Sequence, residues 1–380
     1  MTRSISDLKA AVVGTGFVGV VHVDALRHLD VEVTGVVGST PERAAAKSLA
    51  PVYDSFENLL DDERVDVVHL ATPNHLHYAE AKLALAAGKH VVCEKPLAMT
   101  SDESRDLLGL ARESGLVHCT NFNVRFYPII QEARARVRAG ELGELWSVHG
   151  AFLQDWLATP MDWNWRLEPE KGGALRAVGD IGSHWLDLVQ FVTGLRIVEV
   201  FADLVTAIPV RQRPAGEVET FARAADIERM QTPMWTDDLA HILLHFENGI
   251  SGSVVLSQVS MGSNSLRLQV DGSQGALAWD GERDKELWLG HRDVPNQTLK
   301  RGPEPEDEAP ASRTRLPGAY PEGLVETFRE LYRAVYADVA QGGTSREPDY
   351  PTFEDGHAQN VIGDAIALSN TERRWVDVTP

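Results

Sequence analysis

Between Leu8 and Phe122, short β-branched runs alternate with stretches of helical apolar spacing, and that rhythm leaves few folds open to the chain. Ala10–Val13, Val31–Val37, Val65–Ala71, His90–Cys93 and Leu116–Thr120 read as strands, and Phe17–Leu29, Pro41–Leu49, His75–Ala87 and Asp102–Ser114 as helices. The strand runs are apolar on both faces, which a strand tolerates only where helices cover the sheet from both sides. The spacing therefore predicts an α/β domain with a doubly wound parallel sheet. After about Phe126 strand-like segments follow one another: Ile242, Leu244 and Phe246 share one face, and Leu266, Leu268 and Val270 alternate with Arg267 and Gln269. This predicts an α+β region with a large, mainly antiparallel sheet. Glu247-Asn248-Gly249-Ile250 predicts a type I′ hairpin turn, and Asp271-Gly272 precedes another turn. Two helical patterns, Glu322–Val339 and Phe353–Thr371, end the chain, while Ile208–Pro233 and Pro295–Pro317 are aperiodic and read as surface excursions. The expected division is 1–124 and 125–380, in keeping with 380 residues at roughly 150 per domain.

Charge narrows the partners. The 36 Lys and Arg face 56 Asp and Glu, a net charge of -20, which repels nucleic acid and anionic bilayers and points to a small molecule. Charged residues are only 24% against 43% hydrophobic, so the acidity belongs to a solvated surface and not to a disordered chain. Cys93 and Cys119 are the only cysteines, too few for a disulfide framework, and fit a reducing, cytoplasmic setting. No stretch approaches the roughly 18 apolar residues of a membrane span, and Met1–Lys9 holds no apolar secretory core, so a soluble, unexported protein is expected.

Gly14-Thr15-Gly16-Phe17-Val18-Gly19 follows the first strand and opens a helix, the context that gives a glycine pattern its meaning. Gly14 permits the tight turn, Gly16 lets backbone approach a pyrophosphate, and Gly19 allows close helix–strand packing, with Phe17 and Val18 supplying the helix start. A nicotinamide or flavin dinucleotide is the expected ligand. About 20 residues on, where an acidic residue would bind the ribose of NAD, stand Gly38-Ser39-Thr40, with Arg43 one turn further. Ser39, Thr40 and Arg43 are donors suited to a 2′-phosphate, which favours NADP, with NAD and dual use kept open. Arg43 as a plain solvated helix residue is the competing reading.

Three further segments carry chemistry. Thr72-Pro73-Asn74-His75-Leu76-His77 and Glu94-Lys95-Pro96 each follow a strand at the edge where such sheets bind ligands, and Gly179-Asp180-Ile181-Gly182-Ser183-His184 opens a later helix. Oxidising a secondary alcohol needs a base titrating near working pH, for which His184 is the best candidate. Asp180, four residues earlier, shares its helix face and could orient the imidazole or bind substrate. Lys95 on a strand end could hold the alcohol oxygen as alkoxide character develops. Trp156, Trp163 and Trp165 could stack on sugar rings, or could simply anchor a loop. No compact metal-ligand spacing is present, although His75, His77, Asp180 and His184 are possible ligand types.

With Thr72–His77, Ala87–Ala98, Asn121–Pro128, Trp163–Arg166 and Gly172–Asp187 in one order along nearly the whole chain, the sequence resembles the family of glucose–fructose oxidoreductase, inositol dehydrogenase and MocA. The resemblance implies Lys95, Asp180 and His184 as catalytic positions, and Thr72, Pro73, Asn74, His77 and Glu94 beside the cofactor or holding its loop. It also implies Trp165 and Arg166 near the nicotinamide, and a substrate pocket with Lys95, Arg125, Trp163, Arg166, Asp180 and His184. Arg125 as a salt-bridge partner is the alternative. The Gly172–His184 stretch departs from the commoner family form in carrying extra residues before Asp180, which touches the preceding loop and not the triplet. The implied activity is NAD(P)-dependent dehydrogenation or reduction of a cyclic sugar or polyol without metal, in a homodimer or homotetramer. A non-catalytic cofactor-binding regulator is the competing class. His22, His69, His90, His241 and His245 read as structural or surface histidines, Cys93 as a core thiol, and Glu304–Glu308 as a solvated loop.

Overall fold

The computed structural model describes residues 3–216, 228–300, 313, 315 and 323–379. The apolar runs of the amino-terminal region form five parallel strands: β1 (Lys9–Val13), β2 (Glu32–Val37), β3 (Val67–Leu70), β4 (His90–Cys93) and β5 (His118–Thr120). Their order is β2-β1-β3-β4-β5, so the winding reverses between β1 and β3. Strand ends on the two sides of such a reversal leave a crevice for ligands. Four helices occupy the predicted places, α1 (Phe17–Arg27), α2 (Pro41–Ala46), α4 (Asn74–Ala86) and α5 (Ser101–Ser114), and a short α3 (Phe56–Leu60) adds one that apolar spacing did not announce. Local chemistry sets their ends. Thr40, Ser55 and Thr100 cap α2, α3 and α5 by accepting from backbone N–H groups, and Gly115 stops α5 at φ 66°. Ala11, Val13, Val68, Leu70, Val91 and Cys93 are buried with helix residues such as Ala81, Ala84 and Leu107.

The chain divides into two compact units. The first takes in Met1–Asn123 together with Glu170–Gly173 and Val325–Asn360; the second is Val124–Pro169, Ala174–Leu324 and Val361–Pro380. Helix Leu324–Gln341, close to the expected 322–339, buries Leu331, Tyr332, Val335 and Tyr336. Its companion Phe353–Glu372 also falls where apolar spacing puts it.

In the second unit, β6 (Leu145–Gln154), β7 (Ile197–Val205), β10 (Leu239–Phe246), β11 (Ser251–Ser257), β12 (Asn264–Gly272), β13 (Ala276–Asp280), β14 (Glu286–Gly290), β15 (Gln297–Lys300) and β16 (Val376–Asp377) build one sheet. Its order is β15-β14-β13-β12-β6-β11-β10-β7-β16, antiparallel throughout except between β6 and β11. The alternation read from sequence is the real one: Ile242, Leu244, Leu266, Leu268 and Val270 join Trp185, Leu186 and Val189 of helix Ser183–Thr193 in the core. At the β10–β11 turn, Asn248 and Gly249 both have positive φ, and Phe246 N–H donates to Ile250 O at 2.8 Å, closing a three-residue loop in place of the expected two-residue turn.

Of 208–233, residues 217–227 lie outside the described residues, and the two flanks form strands in place of the expected excursion. Val210–Pro214 (β8) pairs antiparallel with Arg229–Pro233 (β9), and it buries Arg211 and Pro214 while Val210 stays exposed, so no apolar alternation betrays it. Of 295–317, Gln297–Lys300 joins the large sheet; the Glu304–Glu308 run lies outside the described residues. Among the described residues no helix is long and apolar enough to cross a membrane.

Candidate active site

The glycine turn is built as a cradle. Gly14, at φ 99°, would place a Cβ 2.3 Å from Ala71 O, and a Cβ on Gly19 would lie 2.0 Å from Gly14 O. Those two glycines are demanded by the protein's own packing. Gly16 differs, because nothing lies within 4 Å of its would-be Cβ, so the opening above it suits an approaching ligand. It is the residue before α1, whose first N–H groups have no helical acceptor and favour an anion. A dinucleotide pyrophosphate fits this arrangement, and Gly14, Gly16, Phe17 and Val18 are the residues that would hold it. Phe17 is 55% exposed, unusual for a large aromatic and suited to covering a flat ring. At the end of β2, Ser39, Thr40 and Arg43 are all exposed, Arg43 Nη1 donating to Ser39 Oγ at 3.4 Å. Close approach there again needs a glycine: a Cβ on Gly38 would meet Ala44 Cβ at 2.9 Å.

The next two strand ends are stitched together. The buried His77 imidazole lies between Thr72 O at 2.9 Å and Pro96 O at 2.8 Å, and so spans both loops. Burial first of all lowers its proton affinity, and a neutral ring donates to only one of the two. Asn74 Nδ2 donates to Gly172 O at 2.9 Å, holding the glycine-rich stretch ahead of Asp180. Thr72 Oγ1 donates to Glu80 Oε2 at 2.6 Å, and burial pushes the Glu80 carboxyl up to about 7. Neither Glu80 nor its role is visible in sequence, since it falls on a helix face like any solvated acid. Glu94 is buried; burial opposes its charge, but His22, Lys95 and Asn121 outweigh that and hold it down to about 2. Lys95, partly exposed, follows on the same turn, joined to Pro96 by a cis peptide bond.

In the second unit, Asp180 sits on a π-helical turn, Val178–Gly182, that runs straight into helix Ser183–Thr193 carrying His184. Such bulges often re-aim side chains at functional positions. The wide turn is held at its start by Asp237, whose carboxylate accepts from Arg176 N at 2.6 Å and Val178 N at 2.8 Å. Asp180 itself is gripped twice: Oδ1 lies 3.2 Å from Arg166 Nε, and Oδ2 accepts from Gln258 Nε2 at 2.8 Å. Gln258 has no freedom to flip, because its Oε1 accepts from Arg176 Nη1 at 2.8 Å. Behind it, Asp238 is shared by the buried Arg176 and Arg211. Gln258 and this Arg–Asp–Arg cluster carry no sequence motif, so nothing along the chain announces them.

The Arg166 guanidinium carbon sits over the Trp165 ring, 4.3 Å from its centroid, and Asn164 caps the turn by accepting from Arg166 N. Trp163 faces Arg213 at 5.5 Å, and Trp156 donates to Gln154 Oε1 at 2.8 Å. Arg125 is engaged elsewhere: its Nε donates to Asp187 Oδ2 at 2.7 Å and a second nitrogen pairs with Oδ1, with the Phe191 ring 5.0 Å from the guanidinium. The structure thus joins Trp165, Arg166 and Asp180, and ties Arg125 into an ion pair instead. Cys93 and Cys119 are buried free thiols, and burial pushes Cys93 well above its ordinary value, as a core thiol requires. Among the described residues no group of three or more His, Cys, Asp or Glu side chains is placed to hold a metal ion.

Known proteins agree with these features. A family model for the "Oxidoreductase family, NAD-binding Rossmann fold" matches residues 8–122, and one for the "GFO/IDH/MocA C-terminal domain" matches 130–278. Levoglucosan dehydrogenase of Pseudarthrobacter phenanthrenivorans is 30% identical across 98% of this chain and 99% of its own length. Levoglucosan dehydrogenase solved in complex with NADH and L-sorbose superposes with a TM-score of 0.87, at 29% identity, covering 98% of this chain and 99% of that one. An inositol dehydrogenase homolog from Azotobacter vinelandii, solved with NADH and myo-inositol, gives a TM-score of 0.82 at 25% identity over 97% of each chain. The chain belongs to the Gfo/Idh/MocA family of oxidoreductases, with an NAD-binding Rossmann fold.

Proposed function

We propose that this oxidoreductase interconverts a secondary alcohol and a ketone on a cyclic sugar, sugar derivative or polyol, with Lys95, Asp180 and His184 as its catalytic residues. The observation that carries the reading is the full-length correspondence to a dehydrogenase solved with NADH and a sugar. The nicotinamide, when bound, supplies the hydride acceptor or donor. His184 takes the hydroxyl proton in one direction and returns it in the other. The Lys95 ammonium donates to the same oxygen and stabilises its alkoxide character. Arg166 paired at one oxygen and Gln258 donating to the other occupy the Asp180 carboxylate, and the proposal leaves the proton transfer to His184. Trp163, Trp165 and Arg166 offer ring faces and donors to a hydroxyl-rich substrate. The Arg125–Asp187 pair supports a part for Arg125 in holding the His184 helix and not in touching sugar.

Residues 1–124 are assigned to the dinucleotide and 125–380 to substrate and self-association. The exposed Ser39, Thr40 and Arg43 favour NADP over NAD. A homodimer or homotetramer in a reducing cytoplasm completes the reading, with the two free thiols supporting that compartment. The test mixes purified protein with NAD or NADP and a panel of 1,6-anhydro sugars, glucosides and inositols, following the absorbance of reduced nicotinamide. Turnover should appear with at least one ring substrate and fall by orders of magnitude in Lys95→Ala and His184→Ala, with cofactor affinity nearly unchanged. Full activity in either variant overturns the assignment of roles.

A further inference from the structure

Four buried polar groups of the first unit meet although no reaction step uses them. His22 comes from α1, His69 from β3, Glu94 from the end of β4 and Tyr336 from helix Leu324–Gln341. His69 Nε2 lies 2.9 Å from Tyr336 Oη, His69 Nδ1 lies 3.1 Å from His22 Nδ1, and His22 Nε2 lies 3.1 Å from Glu94 Oε1. Asn121 Nδ2 donates to the same Glu94 oxygen, and Lys95 N–H reaches the other at 3.4 Å.

We propose that Tyr336, His69 and His22 form a one-way hydrogen-bond chain that pins Glu94 and so positions the turn carrying Lys95. This rests on the catalytic role assigned to Lys95. The direction follows from donor counting. An ionised carboxylate only accepts, so His22 Nε2 carries a proton. In a neutral ring His22 Nδ1 then accepts, and His69 Nδ1 must donate. That leaves His69 Nε2 to accept from the Tyr336 hydroxyl. The reverse direction would leave the Tyr336 proton buried with no acceptor among the described residues. Burial holds His69 well below its ordinary value, as a neutral link in the chain requires.

The surroundings make the chain matter. Tyr332 packs edge-on to His69 with ring centroids 4.7 Å apart, and Phe328 lies 5.8 Å from His22, so the links run through an aromatic cage. In such a low-dielectric setting a satisfied bond is strong and an unsatisfied group costly. A missing donor at any link therefore propagates to Glu94, whose neighbour on the chain is Lys95.

Long-range nitrogen–proton spectra of histidine-labelled protein test the direction without any substrate. The expected pattern is a proton on Nε2 of His22 and on Nδ1 of His69; the opposite pattern, or a doubly protonated ring, overturns it. His69→Leu removes the donor to His22 and should lower kcat about tenfold while leaving cofactor affinity within about twofold. His69→Gln restores a donor and should recover most of that loss. Tyr336→Phe should give a smaller fall and covers the case where His69→Leu does not fold. Unchanged kcat in His69→Leu, or no difference between Leu and Gln, overturns the positioning role. Wild-type protein with the expected tautomers but no turnover on any sugar would sink the proposed reaction and leave the chain's direction standing.

Discussion

Two side chains that no motif singles out do much to set the site's charge. Glu80 accepts from Thr72 in a setting whose burial raises it to about 7. Its folded value lies above its unfolded value near 4.3, so the stability it contributes is complete below that pH and is lost as pH rises through about 7. Thermal unfolding followed from pH 5 to 8 should show declining stability, and Glu80→Gln should flatten that decline by at most about 3 kcal/mol. An equal decline in both proteins would place the titrating group elsewhere. Gln258 makes a second case, its amide fixed by Arg176 so that only a donor faces Asp180. Gln258→Met should lower kcat about tenfold with cofactor affinity unchanged, the loss expected for one hydrogen bond to a charge. Unaltered kcat would show that Arg166 alone suffices to hold Asp180. At this scale the residues of Thr72–His77, Glu94–Pro96 and Asp180–His184 are legible in sequence because they stand in short, ordered spacings. Gln258, Arg176 and Asp238 are not, because their meaning comes from partners tens of residues away, and Glu80 is not, because its burial leaves no mark on the helix pattern.

Elements differ in how openly the sequence declares them. The parallel strands are declared by apolar runs, since burial on both faces leaves no room for alternation, and the later sheet by strict alternation about β10 and β12. The β8–β9 ribbon stays hidden because it buries Arg211, which pairs with Asp238 at 2.7 Å and donates to Thr159 O, so charge pairing replaces the apolar signal. The π turn at Val178–Gly182 hides for a related reason: Asp237, from a distant segment, supplies the acceptors that stabilise its start. At the start of α1 the sequence shows three glycines alike, while the structure separates them. Gly19→Ala forces a Cβ against Gly14 O and should destabilise the fold by about 1–3 kcal/mol. Gly16→Ala meets no protein atom and, at a helix cap, should cost only a few tenths of a kcal/mol. Because Gly16 faces the proposed pyrophosphate position, its methyl should instead weaken dinucleotide binding about tenfold or more. Melting curves and cofactor fluorescence titrations separate the two effects, and a stable Gly19→Ala or an unimpaired Gly16→Ala would contradict the division of labour.

For the whole molecule, the large sheet poses the question of what its outer face is for. One face is packed by helices; the other presents Leu243, 48% exposed, and Val255, 37% exposed, on neighbouring strands β10 and β11. Register sets Leu243 beside Phe201 of β7 and Val255 beside Ala151 of β6, while Ser253 stands opposite Leu243 and His241 opposite Val255, which makes a broken apolar band of two staggered pairs. Trp375 extends it, stacked on His245 with centroids 4.1 Å apart and lying 5.9 Å from Phe201. Exposed apolar side chains grouped on one sheet face suit an interaction surface, and a face made of paired strands suits an identical face related by twofold symmetry. Self-association through this band is the proposed use. Light scattering should then give the mass of a dimer or tetramer for the wild type and of a monomer for Leu243→Arg, with the circular dichroism spectrum unchanged. The net charge of -20 adds a second signature, because like-charged subunits repel over distances that salt screens. Association should accordingly tighten as ionic strength rises from about 0.01 to 0.15 M, where the Debye length falls from about 30 to 8 Å. A wild-type monomer, or a Leu243→Arg protein that keeps its mass at both salt concentrations, would remove this face from the assembly.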